Sequence, residues 1–141
     1  MTQPIEVSGR ALIFDQNGNA LVLKRHPAST TNPGKWELPG GKPNKGESFE
    51  ESLRREVLEE TGFEIDMYRS VGTADQHVSG WHVIHVIVLA SIRSGGLAIS
   101  DEHSEFRWVK VPEIALLDMA DWFSQYYHSY LCVPDGNTDS M

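Results

Sequence analysis

A chain of 141 residues carrying 12 Lys and Arg against 20 Asp and Glu, a balance of -8, is long enough for one domain with its own core. That acidity argues against a nonspecific binder of nucleic-acid polymers or of anionic membrane surfaces. Cys132 is the single cysteine, so no intramolecular disulfide can form, and no basic segment followed by an apolar run opens the chain; a cytoplasmic protein is expected. The longest apolar stretch, Val83 to Ile92, is broken by His85 and Ser91, so no membrane span is expected either.

Taken in order, Ile5 to Phe14 and Ala20 to Leu23 read as two strands of a hairpin, because Asn17-Gly18 between them tolerates the positive φ of a tight turn. A loop rich in Ser, Thr, Asn, Pro and Gly follows from Lys24 to Gly34. Lys24, Arg25, Lys35, Lys42 and Lys45 gather in these segments, a basic rim suited to phosphate oxygens. Trp36-Glu37-Leu38 is a short extended piece, and Pro39-Gly40-Gly41 lets the backbone pass close to a neighbour. A helix is expected from Ser48, with Glu51 completing a capping box, to Gly62.

Beyond the helix, Phe63 to Ile65 and Tyr68 to Ala74 read as strand segments, and Trp81 to Ile92, rich in β-branched residues, as a central strand. His77 stands in an expected loop from Gln76 to Gly80, while His82 and His85, three apart, face opposite sides of their strand and cannot form a metal pair. After a turn at Gly95-Gly96 comes a second acidic loop, Ser100 to Glu105, then a strand Phe106 to Val109 and a helical turn at Pro112 to Ala115. Met119 to Leu131, with an aromatic stripe, is expected to be a closing amphipathic helix that packs into the core. Residues 1–134 make one domain on this reading, with 135–141 a frayed tail.

The helix carries the chemistry. Phe49, Leu53 and Val57 form its apolar stripe, while Glu56, Glu59 and Glu60 fall within about 100° of one another on the same wheel, Glu60 overlapping the stripe. Two carboxylates about 6 Å apart at an effective dielectric of about 20 repel by roughly 3 kcal/mol. Glu59 and Glu60 also occupy the last turn, where the helix dipole favours cations. A hard divalent cation held by carboxylate oxygens would turn that repulsion into binding, and would let a polyphosphate approach so acidic a chain.

The stretch from Gly41 to Phe63 resembles the Nudix box: Gly41, Glu47, Arg55, Glu56, Val57, Glu59, Glu60, Gly62 and Phe63 fill all its defined positions at the right spacing. The resemblance to the Nudix hydrolase family, MutT-like members included, implies an α/β/α sandwich, a mixed sheet with helices on both sides, covering nearly the whole chain. It implies a Mg²⁺-dependent hydrolase, with Mn²⁺ as the alternative ion, that cleaves the diphosphate linkage of a nucleoside diphosphate derivative. Glu56, Glu59 and Glu60 would hold the metal with the Gly40 carbonyl and a glutamate of the second acidic loop, Glu102 or Glu105; one of these glutamates would be the base. Arg55 would orient a box carboxylate such as Glu47, and Lys42, Arg25, Glu47 and Glu105 would line the substrate site. The expected substrate is a nucleoside triphosphate, some oxidised, cut to monophosphate and pyrophosphate; ADP-ribose, another nucleoside diphosphate sugar or a dinucleoside polyphosphate is the alternative. The partner is thus a small nucleotide, met by a monomer or homodimer. A non-catalytic nucleotide sensor is disfavoured by the intact box and by the lack of a basic helix-turn-helix segment.

Overall fold

The computed structural model describes residues 3–132. Seven strands form two sheets. The strands are β1 (Ile5–Ile13), β2 (Ala20–Arg25), β3 (Trp36–Glu37), β4 (Gly40–Gly41), β5 (Phe63–Val78), β6 (Trp81–Gly95) and β7 (His103–Val109). One sheet runs β4-β1-β6-β5 and the other β3-β2-β7. In the first, β1 and β6 are parallel while β1–β4 and β5–β6 are antiparallel, so the sheet is mixed, and β6 lies inside it as expected. Helix α1 (Phe49–Thr61) covers one side and α2 (Asp121–Tyr126) the other.

The alternation of β1 explains the two cores. Ala11 and Ile13 point to Leu53 and Val57 of α1, with Phe63, Ile65 and Val88 around them. Leu12 points the other way, to a cluster that holds Trp36, Ile87, Ile114, Trp122, Phe123 and Tyr126. The aromatic stripe of the closing segment is therefore core, as expected, with Tyr130 left half exposed.

Six expectations need correction. Lys24 and Arg25 belong to β2, so the loop begins after them, and His103 to Glu105 of the expected acidic loop belong to β7, both because β2 and β7 pair along this length. The turn at Asn17-Gly18 exists, tied by the Asp15 carboxylate to the N–H groups of Asn17 and Asn19, yet β1 and β2 do not pair as a hairpin. Apart from a bridge between Phe14 and Ala20 they diverge into separate sheets, because β1 buries residues on both faces and takes β6 and β4 as neighbours. The segments around Ile65 and Ala74 are one strand, interrupted by bulges that keep it paired with β6. The expected loop Gln76 to Gly80 shrinks to a Ser79-Gly80 turn, since Gln76, His77 and Val78 pair with Val83, His82 and Trp81. The closing helix starts at Asp121 rather than Met119, because Trp36 bridges Met119 and accepts the Ala120 N–H, and it ends in a π-helical turn, Tyr127–Leu131. The turn at Pro112 is a 3₁₀ helix, Val111–Leu116. The expected tail, 135–141, lies outside the described residues. Among those described, no helix is long and apolar enough to cross a membrane.

Candidate active site

Helix α1 starts where its caps dictate. Ser48 accepts the Glu51 N–H at 3.1 Å while the Glu51 carboxylate accepts the Ser48 N–H at 3.0 Å, and Gly62 closes the C-terminus in the left-handed conformation. This registers the acids. Glu60, on the margin of the apolar stripe, is 4 % exposed, whereas the Glu59 side chain is 58 % exposed and Glu56 lies between.

The strand β4 lies directly against these acids. The Gly40 N–H donates to Glu60 Oε1 at 3.0 Å. A Cβ on Gly41 would meet Glu56 Oε2 at 2.5 Å, and one on Gly40, whose φ is +143°, would meet the Gly9 carbonyl at 1.9 Å. Glycine at 40 lets β4 lie close on the β1 backbone, and glycine at 41 leaves the Glu56 carboxylate its place against the chain.

Arg55 gathers the rest. Its Nε and Nη2 bind the two oxygens of Glu47 at 2.7 and 3.0 Å, its Nη1 binds Glu56 at 2.8 Å and Glu59 at 3.0 Å, and Nη2 also points at the Lys42 carbonyl at 3.4 Å. All five N–H donors are thus directed at protein oxygens, so Arg55 orients carboxylates, with none left over for a phosphate. These bonds raise the Arg55 pKa and lower that of Glu47. Burial pushes the Glu60 carboxyl well above its usual range; Arg10 and the Gly40 N–H pull against this, and Glu37 and Glu56 add to it.

Among the described residues no three His, Cys, Asp or Glu side chains converge tightly enough to hold an ion unaided. Glu56 and Glu59 close on Arg55, and Glu60 turns to Gly40. The donor set nevertheless suits a hard divalent cation, since three carboxylates of adjacent turns lie against a glycine backbone and Glu60 is buried without a cation bonded to it.

The structure brings Glu47, Arg55, Glu56, Glu59, Glu60 and Gly40 together. Glu102 and Glu105 make their contacts elsewhere: Glu102 borders a hollow with Arg25 and His26, and Glu105 pairs with Lys24 at 3.6 Å and Arg107 at 3.5 Å. The expected basic rim is largely paired within the protein. Lys35 binds Asp118 and Lys42 binds Glu6, each at 2.8 Å, and Arg25 ties down the loop after β2 through Ser29 and the Thr31 carbonyl.

Beside the box lies a cavity of about 230 Å³, bordered by Lys42, Arg10, Arg25, Asn32, Gln76 and Trp81 among others. Under it, Glu37 is fully buried between Arg25 at 3.1 Å, His103 at 2.9 Å and Arg10 at 3.6 Å. Burial alone would lift the Glu37 pKa, but Arg10, the hydrogen bond from His103 and Arg25 together hold it at about 2. Arg10 also donates to the Leu38 carbonyl at 3.0 Å and stands over the Trp122 ring at 4.8 Å. Sequence reasoning passed over Arg10, Glu37 and His103. The available signal was a lone charge inside an apolar strand, Arg10 before Ala11-Leu12-Ile13 and Glu37 between Trp36 and Leu38, since such a charge must find a partner.

With this geometry in hand, known proteins give the same answer. The NUDIX domain family model matches residues 6–130. The nucleoside triphosphatase NudI of Salmonella agona (strain SL483) is 31 % identical over 118 residues, covering 76 % of this chain and 84 % of that protein. The crystal structure of a MutT protein from Methanosarcina mazei Go1 superposes with a TM-score of 0.83 at 32 % identity, over 92 % of this chain and 94 % of that one. An ADP-ribose pyrophosphatase from Streptococcus suis 89-1591 shares the fold at 20 % identity, with a TM-score of 0.66 over 87 % and 84 % of the two chains. The chain belongs to the NUDIX family and is a MutT-like Nudix hydrolase, a pyrophosphohydrolase.

Proposed function

We propose that the chain hydrolyses nucleoside triphosphates to monophosphate and pyrophosphate with a divalent cation, Mg²⁺ first, at the box face of α1. The observation that carries this reading is the buried, cation-poor Glu60 beside Glu56 and Glu59, set against Gly40-Gly41, with Lys42, the next residue, bordering a polar cavity. The substrate class follows the likeness to the Salmonella nucleoside triphosphatase. Glu56, Glu59 and Glu60 would hold the ion, with the Gly40 carbonyl as a further oxygen. When bound, the cation supplies neutralisation of the polyphosphate and a more acidic water.

The chain's own groups do the rest. Water adds its oxygen to a phosphorus, the bridging P–O bond between the α and β phosphates breaks, and the water's proton passes to a box carboxylate. Glu59, the most exposed of the trio, is our assignment for that base. Arg55 fixes Glu56, Glu59 and Glu47 relative to one another, and Arg25, through Ser29 and Thr31, holds the loop that walls the cavity.

The test is release of pyrophosphate from a panel of nucleoside triphosphates, with ADP-ribose and a dinucleoside polyphosphate alongside, in Mg²⁺. Wild-type turnover of a triphosphate with strong loss in Glu59→Gln supports the reading. Binding that raises the melting temperature with no turnover of any compound would point instead to a nucleotide sensor.

A further inference from the structure

Arg10, His85 and Gln76 form a hydrogen-bond chain whose direction is fixed by chemistry. The Arg10 Nε–H can only donate, so at 3.3 Å the His85 Nδ1 must accept. A neutral imidazole that accepts at Nδ1 carries its proton on Nε2, so the 2.9 Å contact with Gln76 is an N–H···O bond. The Gln76 amide is thereby turned with its oxygen toward His85. Its NH₂ group, a donor only, makes no hydrogen bond among the described residues, and Gln76 borders both this cavity and a neighbouring hollow beside Thr30 and Asp121.

The relay has no freedom to reverse. His85 is 1 % exposed and stacked on Trp122 at 4.2 Å, and burial, then Arg10, hold its pKa down to about 2, so the ring stays neutral. Arg10 is anchored by Glu37 and the Leu38 carbonyl. The cavity offers a guest both a free polar atom and an aromatic ring. Ser8 Oγ, buried on the neighbouring strand opposite His85, borders it without a hydrogen-bond partner, and Trp81 at the hairpin tip, 40 % exposed, borders it with an aromatic ring. Lys42 connects it to the glycines against which Glu56 and Glu60 rest.

We propose that Gln76 is the base-specificity residue of this site, and that its oriented NH₂ selects nucleotides whose base offers a carbonyl oxygen at the recognised edge, as uracil, thymine and guanine do, over cytosine and adenine, which offer an amino group there. Arg10 and His85 are positioning residues for that amide. This rests on the triphosphatase reading above for the identity of the guest. A donor facing a donor leaves both unsatisfied, which sets the expected discrimination at roughly 5- to 100-fold.

The experiment compares kcat/KM for UTP against CTP and GTP against ATP. Wild type should favour UTP and GTP within each pair, with the difference mainly in KM. Gln76→Glu, which places an acceptor in the same position, should move both ratios toward CTP and ATP. His85→Gln, able to accept from Arg10 and donate to Gln76, should keep the wild-type ratios, whereas His85→Leu, which frees the amide to turn, should bring them toward one. Wild-type ratios within twofold of one, or ratios unchanged in Gln76→Glu, would overturn the proposal. If no triphosphate is turned over, the triphosphatase reading fails by itself, and the same ratios are then read from calorimetric binding of UMP, CMP, GMP and AMP, where equal affinities overturn the Gln76 assignment.

Discussion

Glu37 and Glu60 are both interior carboxylates, 0 % and 4 % exposed, and both feel the charge of Arg10, yet their environments drive them in opposite directions. Glu37 has Arg10, Arg25 and His103 built around it and is held ionised down to about 2. Glu60 has one backbone N–H and two further glutamates for company, and its carboxyl is pushed well above the usual range. The fold balances the charge of the first carboxylate, although its Oε1 accepts no hydrogen bond. On our proposal a divalent cation balances the second, which would be how a structural charge and a functional one differ when both are buried.

The largest effect should come from removing function at the incomplete site. Glu56→Gln or Glu59→Gln should lower kcat by about 10²- to 10⁴-fold, as expected for loss of a group that holds a proton or aligns the reacting atoms, while the melting temperature stays near wild type. A loss under tenfold would blunt the contrast. The counterpart at the completed site is Glu37→Gln, which leaves Arg10 and Arg25 partly buried without their counter-charge and should cost about 3 kcal/mol of stability by denaturant unfolding. Glu60→Gln, by contrast, should hold or raise stability without metal and still abolish activity. Equal destabilisation by both would erase the distinction.

A smaller effect sharpens the comparison through pH. His85 has its folded pKa depressed to about 2 from 6.5, so the unfolded chain binds the extra proton as pH falls below about 6.5 and stability drops there; Glu37, held at about 2 against 4.5, adds a second loss below about pH 4.5. For His85 alone the slope reaches up to about 1.4 kcal/mol per pH unit. Glu60, whose folded pKa is raised, acts in the opposite sense and adds stability as pH falls, equally in both proteins, so the test is the difference: from pH 7 to 5 the melting temperature of wild type should lose ground to that of His85→Gln. The smallest change is at the start of α1, where Ser48→Ala removes a cap and should cost about 1 kcal/mol while both charge networks persist.

Particular residues show how far the sequence could be read. The capping box at Ser48, the stop at Gly62 and the overlap of Glu60 with the apolar stripe follow from helical spacing, because each depends on neighbours within one or two turns, whereas the pairing of Arg55 with Glu47, which lies before the helix, was expected from the resemblance to the Nudix box. The split of β1 and β2 into two sheets was hidden, since a tight turn fixes where the chain reverses and not which strands it joins. The Glu37 network was hidden for the same reason: His103 lies 66 residues from Glu37, and only the β2–β7 pairing brings it there. Gln76 took its meaning from β6, which supplied His85 beside it and shortened the expected loop to a two-residue turn.

The central claim is that the box carboxylates are unfinished without a divalent ion. Titration of Mn²⁺, followed by the electron paramagnetic resonance signal of the free ion, tests it without any substrate. Wild type should take up Mn²⁺ in competition with Mg²⁺, and the combined Glu56→Gln, Glu59→Gln, Glu60→Gln variant, folded by circular dichroism, should bind it more than about tenfold more weakly. A folded triple variant that binds Mn²⁺ as tightly as wild type would contradict the account.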